Sequence, residues 1–145
     1  MYSNLFQVIK DKALLDGTAY IEIGAGRYKG KHFQDSFIFL DEDGFFFAEG
    51  LLYKYVKNYD HYEMNNIHKS IGLSYAHELS DIAREFLSIS AIEITKRLNL
   101  KPTFESWLAK KLEEHRKEIK EMLSEVSIFI LDCYRKNDWI CVLGL

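Results

Sequence analysis

The chain opens with Leu5, Val8, Ile9 and Lys12 at helical spacing behind Ser3, and Asp16-Gly17 supplies a stop, so the pattern predicts a short amphipathic helix. "TAYIEI" then alternates Ala19, Ile21 and Ile23 against Thr18, Tyr20 and Glu22, the period-two signature of a half-buried strand. After the glycine-rich "GAGRYKG", which reads as a flexible loop, "HFQDSFIFL" and "GFFFAEG" are two further strand candidates. "DEDG" joins them, and Asp43-Gly44 favours a tight hairpin because both residues tolerate positive φ. The first third therefore predicts a helix followed by a three-stranded meander.

From Gly50 the series Leu52, Tyr55, Val56, Tyr59 and Tyr62 reads as a helix fraying near Asp60, although Tyr53 with Tyr55 alone also suits a strand. Between Ser74 and Leu98 two apolar stripes coexist, Leu79, Ile82, Phe86 and Ile89 on one side and Leu87, Ala91, Ile94 and Leu98 on another, as in a central helix. The β-branched run "SISAIEIT" leaves a strand open for the second half. "LKPTFESWLAKKLEEHRKEIKEML" is the clearest helix: Pro102 and Thr103 open it, and Leu108, Leu112, His115, Ile119 and Met122 form its buried stripe. Glu113 and Lys117 add a favourable i, i+4 pair. "VSIFILDCY", a turn in "RKND" and "WICVLG" close the chain, apolar on both faces like interior strands. A hairpin centred on Asn137 sets Cys133 opposite Cys141 and Tyr134 opposite Ile140. The expected architecture is α+β: one domain over residues 1–145, a largely antiparallel sheet of about five strands including both terminal segments, and helices packed on one face.

Composition narrows the class. A chain of 145 residues with 48% hydrophobic and 28% charged residues has ordinary globular composition, whereas 14% aromatic is high. The net charge of -3 is local, since residues 1–50 hold 5 basic against 8 acidic side chains and the remainder balances at 14 against 14. No apolar run approaches the roughly 20 residues that span a bilayer, and the N-terminus lacks a basic region ahead of an apolar core, so a soluble cytoplasmic protein is expected. Two cysteines, Cys133 and Cys141, are too few for a disulfide framework and are expected to stay reduced.

Candidate chemistry thins on inspection. In "GAGRYKGKH" five residues separate Gly24 from Gly30 and His32 follows Lys31, against the spacing of a phosphate-binding P-loop, and Lys29 stands where a dinucleotide fingerprint needs glycine. "HELSD" puts Asp81 where a zincin helix has its second histidine, so His77 to Asp81 reads as a solvated helix start. "DEDG" lacks the alternating acids of a calcium loop, with Phe39 at the first ligand position. No GxSxG elbow is present, and both cysteines lie in apolar segments that disfavour thiolates. Neither a catalytic nucleophile, a metal site nor a cofactor is assigned. His61 with Asp60 or Glu63 is the one histidine–carboxylate cluster on an expected surface segment.

"LLYKYVKNYDHYEMNN" concentrates Tyr53, Tyr55, Tyr59 and Tyr62 among polar residues. Tyrosine offers rigid contact area with few torsions and a hydroxyl that completes hydrogen bonds, which suits recognition surfaces. Tyr55 and Tyr59 share a stripe with Leu52 and Val56, so core packing explains them equally well. Stacking of single-stranded bases is disfavoured by the acids Asp41, Glu42 and Asp43 nearby in sequence and by the net negative charge. An acidic, aromatic surface suits a basic protein partner instead. A small, acidic, aromatic-rich α+β chain without catalytic machinery resembles the immunity proteins of bacterial polymorphic toxins, including those of contact-dependent growth inhibition systems. The resemblance implies a non-enzymatic cytoplasmic protein that binds one cognate toxin, a basic nuclease, and blocks its active site or substrate-docking surface. The expected contact residues are Asp41, Glu42, Asp43, Tyr53, Tyr55, Tyr59, Asp60, Tyr62 and Glu63. The alternative is a small acid–base enzyme or nucleic-acid-associated regulator using His61, Asp60 and the Arg27 to Lys31 loop. A third reading is a subunit of a larger assembly whose apolar C-terminal strands form the contact.

Overall fold

The structure, a computed structural model, describes residues 5–17, 19–101 and 105–144. A 3-10 turn (Lys12–Leu14) is followed by β1 (Tyr20–Ala25), β2 (Ile38–Asp41), α1 (Glu42–Tyr55), β3 (Met64–His68), α2 (Lys69–Glu85), α3 (Ala91–Arg97), α4 (Glu105–Lys136) and β4 (Trp139–Leu143). The four strands form one antiparallel sheet in the order β2-β1-β4-β3. The fold is α+β, with four described strands where about five are expected. The C-terminal strand lies inside the sheet, between β1 and β3.

The N-terminal helix is not formed over the described residues, and its proposed cap Ser3 lies outside them. Ile9 instead exchanges backbone hydrogen bonds of 2.9 and 2.8 Å with Phe39, so this segment borders β2 as an isolated bridge. Phe6 and Val8 are buried in the main core, which an alternating, extended chain achieves as well as a helix does.

Two expected strands are helices. In α1 the acids of "DEDG" start a helix and make no hairpin: the Asp41 carboxylate accepts the backbone N–H of Asp43 at 2.9 Å, and Glu42 and Asp43 occupy the first turn, where the helix dipole favours negative charge. Gly44 is required because a Cβ there would stand 2.1 Å from the Leu5 carbonyl oxygen, where the N-terminal segment crosses the helix. At the other end, α4 runs through "VSIFILDCY". Val126, Ile130 and Cys133 prolong the buried stripe of Leu108, Leu112, Ile119 and Met122, while Ile128 is exposed. His115, expected on that stripe, breaks the helical conformation at φ -134° and ψ 26° and is only partly buried. Cys133 therefore lies near a helix end while Cys141 lies in β4, and the cross-strand pairings of Cys133 with Cys141 and Tyr134 with Ile140 do not occur. Both thiols are free and buried, and burial pushes each up to about 11.

The expected central helix divides into α2 and α3. Ser90 caps α3 by accepting the Glu93 N–H, and Leu87 is exposed at the break. This resolves the double stripe, because each short helix needs only one buried face. The helix expected through Tyr59 and Tyr62 ends at Tyr55, and strand β3, in a stretch for which the sequence assigned no element, buries Asn65 and Ile67 and exposes Met64 and Asn66.

The sheet separates two apolar clusters. Ile21, Ile23, Ile38, Leu40, Ile67, Ile140 and Val142 join residues of all four helices in the main core. The alternate positions Phe37, Phe39, Cys141 and Leu143 form a smaller cluster, against which Ile9, Leu15, Tyr20, Tyr28 and Phe33 pack. Glu22 faces that side and is 2% exposed, although the pattern assigned it to solvent. Its carboxylate is satisfied by the His32 ring at 2.6 Å and the Phe33 N–H at 2.5 Å. With Tyr28 N–H donating to Asn66 at 2.7 Å and Arg27 over Trp139, these bonds hold the loop down, so it is pinned at several points where a flexible connection was expected.

Candidate functional site

Glu42 and Glu49 are seven residues apart on α1, two helical turns of about 10 Å along one face. His61 bridges them: its Nδ1 is 2.6 Å from Glu49 Oε2 and its Nε2 is 2.5 Å from Glu42 Oε2. Ionised carboxylates only accept, so a ring serving both donates from both nitrogens and is an imidazolium. Burial works against that charge, but the hydrogen bonds and charges of Glu42 and Glu49 together raise the His61 pKa above its ordinary 6.5. Glu49 also accepts the Tyr59 hydroxyl at 2.7 Å. Burial first, then the Glu49 charge, push the Tyr59 hydroxyl far above the usual tyrosine range.

The loop carrying His61 is fixed from below by Asn65, which is 7% exposed. Its amide nitrogen donates to the carbonyls of Asp60, Glu63 and Val142, and its oxygen accepts the Asp60 N–H at 2.9 Å. Gly144 closes the other side: its N–H donates to the Glu63 carbonyl at 2.9 Å, and a Cβ on it would stand 1.8 Å from the His61 oxygen. Asn65 and Gly144 thereby tie the loop to β4 and the residue after it, and His61 ties it to α1.

Above this network lies a depression of about 450 Å³ lined by Glu42, Asp43, Phe46, Glu49, His61, Tyr62 and Trp107. An adjoining one of about 560 Å³ shares Phe46, Glu49, His61 and Tyr62 with it and adds Tyr53, Asn99 and Lys101. Phe46 meets Trp107 edge to face at 5.7 Å, and the Lys111 ammonium lies 5.9 Å from the Trp107 ring centre. Tyr62 is 69% exposed and Tyr53 49% exposed, and the Tyr53 ring stands edge-on to Tyr59 at 4.8 Å. Burial, reinforced by Asp41 and Glu42, raises the Asp43 carboxyl above its usual range, and burial with the Glu49 charge raises the Tyr53 hydroxyl.

The structure thus brings Glu42, Asp43 and Tyr62 to one cleft, with Tyr53 in the adjoining depression, and distributes the other expected contact residues differently. Tyr59 is 6% exposed and supports the cleft from beneath. Tyr55 turns to α2, where its hydroxyl donates to Glu78, and that bond pushes it up to about 12. Asp41 caps α1; Asp60 accepts the Tyr62 N–H; Glu63 offers its carbonyl to Gly144 and Asn65. The Arg27 to Lys31 loop does not join His61, because Tyr28 and Phe33 pack on the opposite face of the sheet from Tyr59 and α1. Both His61 nitrogens are engaged, so no lone pair is available for a general base in this arrangement. Among the described residues, no group of three His, Cys, Asp or Glu side chains is arranged to hold a metal ion, and no helix is long and apolar enough to cross a membrane.

Glu49, Phe46 and Trp107 escaped the reading of the sequence. Glu49 was legible in principle, because an isolated acid inside "FFFAEGLLY" must find a partner if its neighbours are buried. Trp107 carries no such signal, since it reaches the cleft from a helix far along the chain. Comparison with family models, curated proteins and solved structures finds no match to this chain.

Proposed function

We propose that the protein is a non-enzymatic recognition module, an immunity-type inhibitor that binds one basic, nuclease-like toxin in the cytoplasm and blocks its active site or substrate-docking surface. In this reading the helices cover one face of the sheet and α1 presents the contact surface. The observation that carries it is the preorganised acidic and aromatic cleft: exposed Tyr62 lines it with Glu42 and Asp43, exposed Tyr53 lines the adjoining depression, and the His61, Glu49 and Tyr59 bonds lie beneath. Rigid aromatic anchors lower the ordering cost of binding, and negative charge steers a basic partner. The doubly engaged histidine favours this reading over acid–base catalysis.

The test is co-expression of the tagged chain with the product of the adjacent reading frame, comparing wild type with a Tyr53→Ala, Tyr62→Ala double variant. A stoichiometric partner whose nuclease activity is silenced by wild type, and at least about tenfold less well by the variant, is expected if the two rings are anchors worth more than about 1.4 kcal/mol together. No partner, or equal inhibition by both proteins, overturns the reading.

A further inference from the structure

The cleft over His61 has walls of one kind and a floor of another, and together they specify a ligand chemistry. Three carboxyl groups, Glu42, Asp43 and Glu49, line it against one imidazolium, and Phe46, Tyr62 and Trp107 supply aromatic surface. Glu49 accepts both Tyr59 and His61 through Oε2 and is buried, so little of its carboxylate is open to the cleft. Glu42 uses only Oε2 on His61; its Oε1 has no hydrogen-bond partner among the described residues, and the side chain is 37% exposed. The Tyr62 ring meets His61 edge to face at 82° and 4.7 Å and is otherwise largely exposed. A depression of about 450 Å³ has ample room for one long side chain. An apolar side chain there would desolvate the half-used Glu42 carboxylate without replacing its water, and an anion would be repelled. A cation meets both the carboxylate and the ring quadrupoles. Lys111 already shows the attraction: its ammonium lies 5.9 Å from the Trp107 ring centre and partly offsets the pKa rise that burial gives Asp43.

We propose that this cleft is the receptor for one arginine side chain of the protein partner, its guanidinium donating to Glu42 Oε1 and lying against the ring of Tyr62. A flat guanidinium fits a carboxylate beside an aromatic face better than an ammonium, which is a compact and strongly hydrated point charge. The inference rests on the partner-binding reading above and adds the chemical group that the partner inserts.

The test separates the two. Ethylguanidinium chloride is titrated into the full chain, with ethylammonium chloride and sodium chloride as controls, and backbone amide and indole resonances are followed. Saturable shifts at the Trp107 indole and Tyr62 amide are expected in the millimolar range, with the Trp139 indole unmoved. Ethylammonium should bind several-fold more weakly, and Glu42→Gln should weaken ethylguanidinium about tenfold. Tyr62→Ala, at an exposed position that cannot endanger the fold, should weaken it several-fold. Absence of saturation into the tens of millimolar, equal shifts with all three salts, or unchanged affinity in Tyr62→Ala and in a folded Glu42→Gln overturns the proposal. Saturable guanidinium binding without any protein partner keeps the arginine receptor and removes the immunity reading. A captured partner that binds both variants as tightly as wild type does the reverse.

Discussion

Glu49 is the residue on which the cleft depends, and replacing it by glutamine isolates its charge from its volume. In the folded protein it is 6% exposed and accepts two hydrogen bonds, 2.7 Å from the Tyr59 hydroxyl and 2.6 Å from His61 Nδ1. A glutamine oxygen can keep the tyrosine, but it offers no negative charge to the imidazolium. Below the ordinary histidine value of 6.5 the ring is charged in both folded and unfolded chains, and the loss is that of one charge-assisted bond, about 1.5 to 3 kcal/mol. The His61 pKa is raised on folding, so its stabilising contribution is complete below 6.5 and disappears as pH rises through the folded value. Above that value the ring is neutral, and the penalty shrinks toward the roughly 0.5 to 1.5 kcal/mol of an ordinary hydrogen bond. Urea unfolding of wild type and Glu49→Gln at about pH 5.5 and about pH 9, with a fixed slope, measures both penalties. A penalty that is the same at both pH values, or larger at the alkaline one, would refute the bridging imidazolium.

Gly144→Ala should displace the His61 loop, because the new methyl meets the His61 carbonyl oxygen at 1.8 Å; amide shifts confined to residues near His61 and Gly144 are expected, with a loss of about 1 to 3 kcal/mol. Asp41→Ala should cost about 1 kcal/mol in thermal or urea unfolding through loss of the α1 cap. Charge reversal at Asp41, Glu42 and Asp43 together should both slow association with a basic partner and destabilise the fold, since lysines there oppose the helix dipole; unchanged stability would show that the cap is dispensable. Cys133 and Cys141 should resist a thiol reagent at mildly alkaline pH until the chain is unfolded, because both are buried with thiols raised to about 11; rapid labelling of the native protein would contradict their placement.

In two segments with one apolar face the sequence alone determined the element, whereas the Leu5 to Lys12 pattern, also amphipathic, gave a bridge to β2 and no α-helix. The alternation of Ile21 and Ile23 produced β1, and the spacing of Leu108, Leu112, Ile119 and Met122 produced the first part of α4. Cys133 and Cys141 were legibly in apolar segments, and Tyr53 and Tyr62 stood out as the tyrosines that packing beside Leu52 and Val56 explained less well than Tyr55 and Tyr59. Where a segment is apolar all round, period ceases to discriminate, and tertiary structure decided. "GFFFAEG" satisfies a buried strand and a buried helix alike; the Asp41 cap and the crossing of Leu5 over Gly44 accompany the helix. "VSIFILDCY" joined α4 because Val126, Ile130 and Cys133 extend an existing stripe, which avoids restarting the chain as a strand. The cleft belongs wholly to the tertiary level. Glu42 and Glu49 share a face only if α1 is a helix, His61 reaches them only because Asn65 and Gly144 pin its loop to β4, and Trp107 arrives from another helix. Local pattern reports whether a side chain is inside or outside; which distant side chains share that inside depends on how the elements pack.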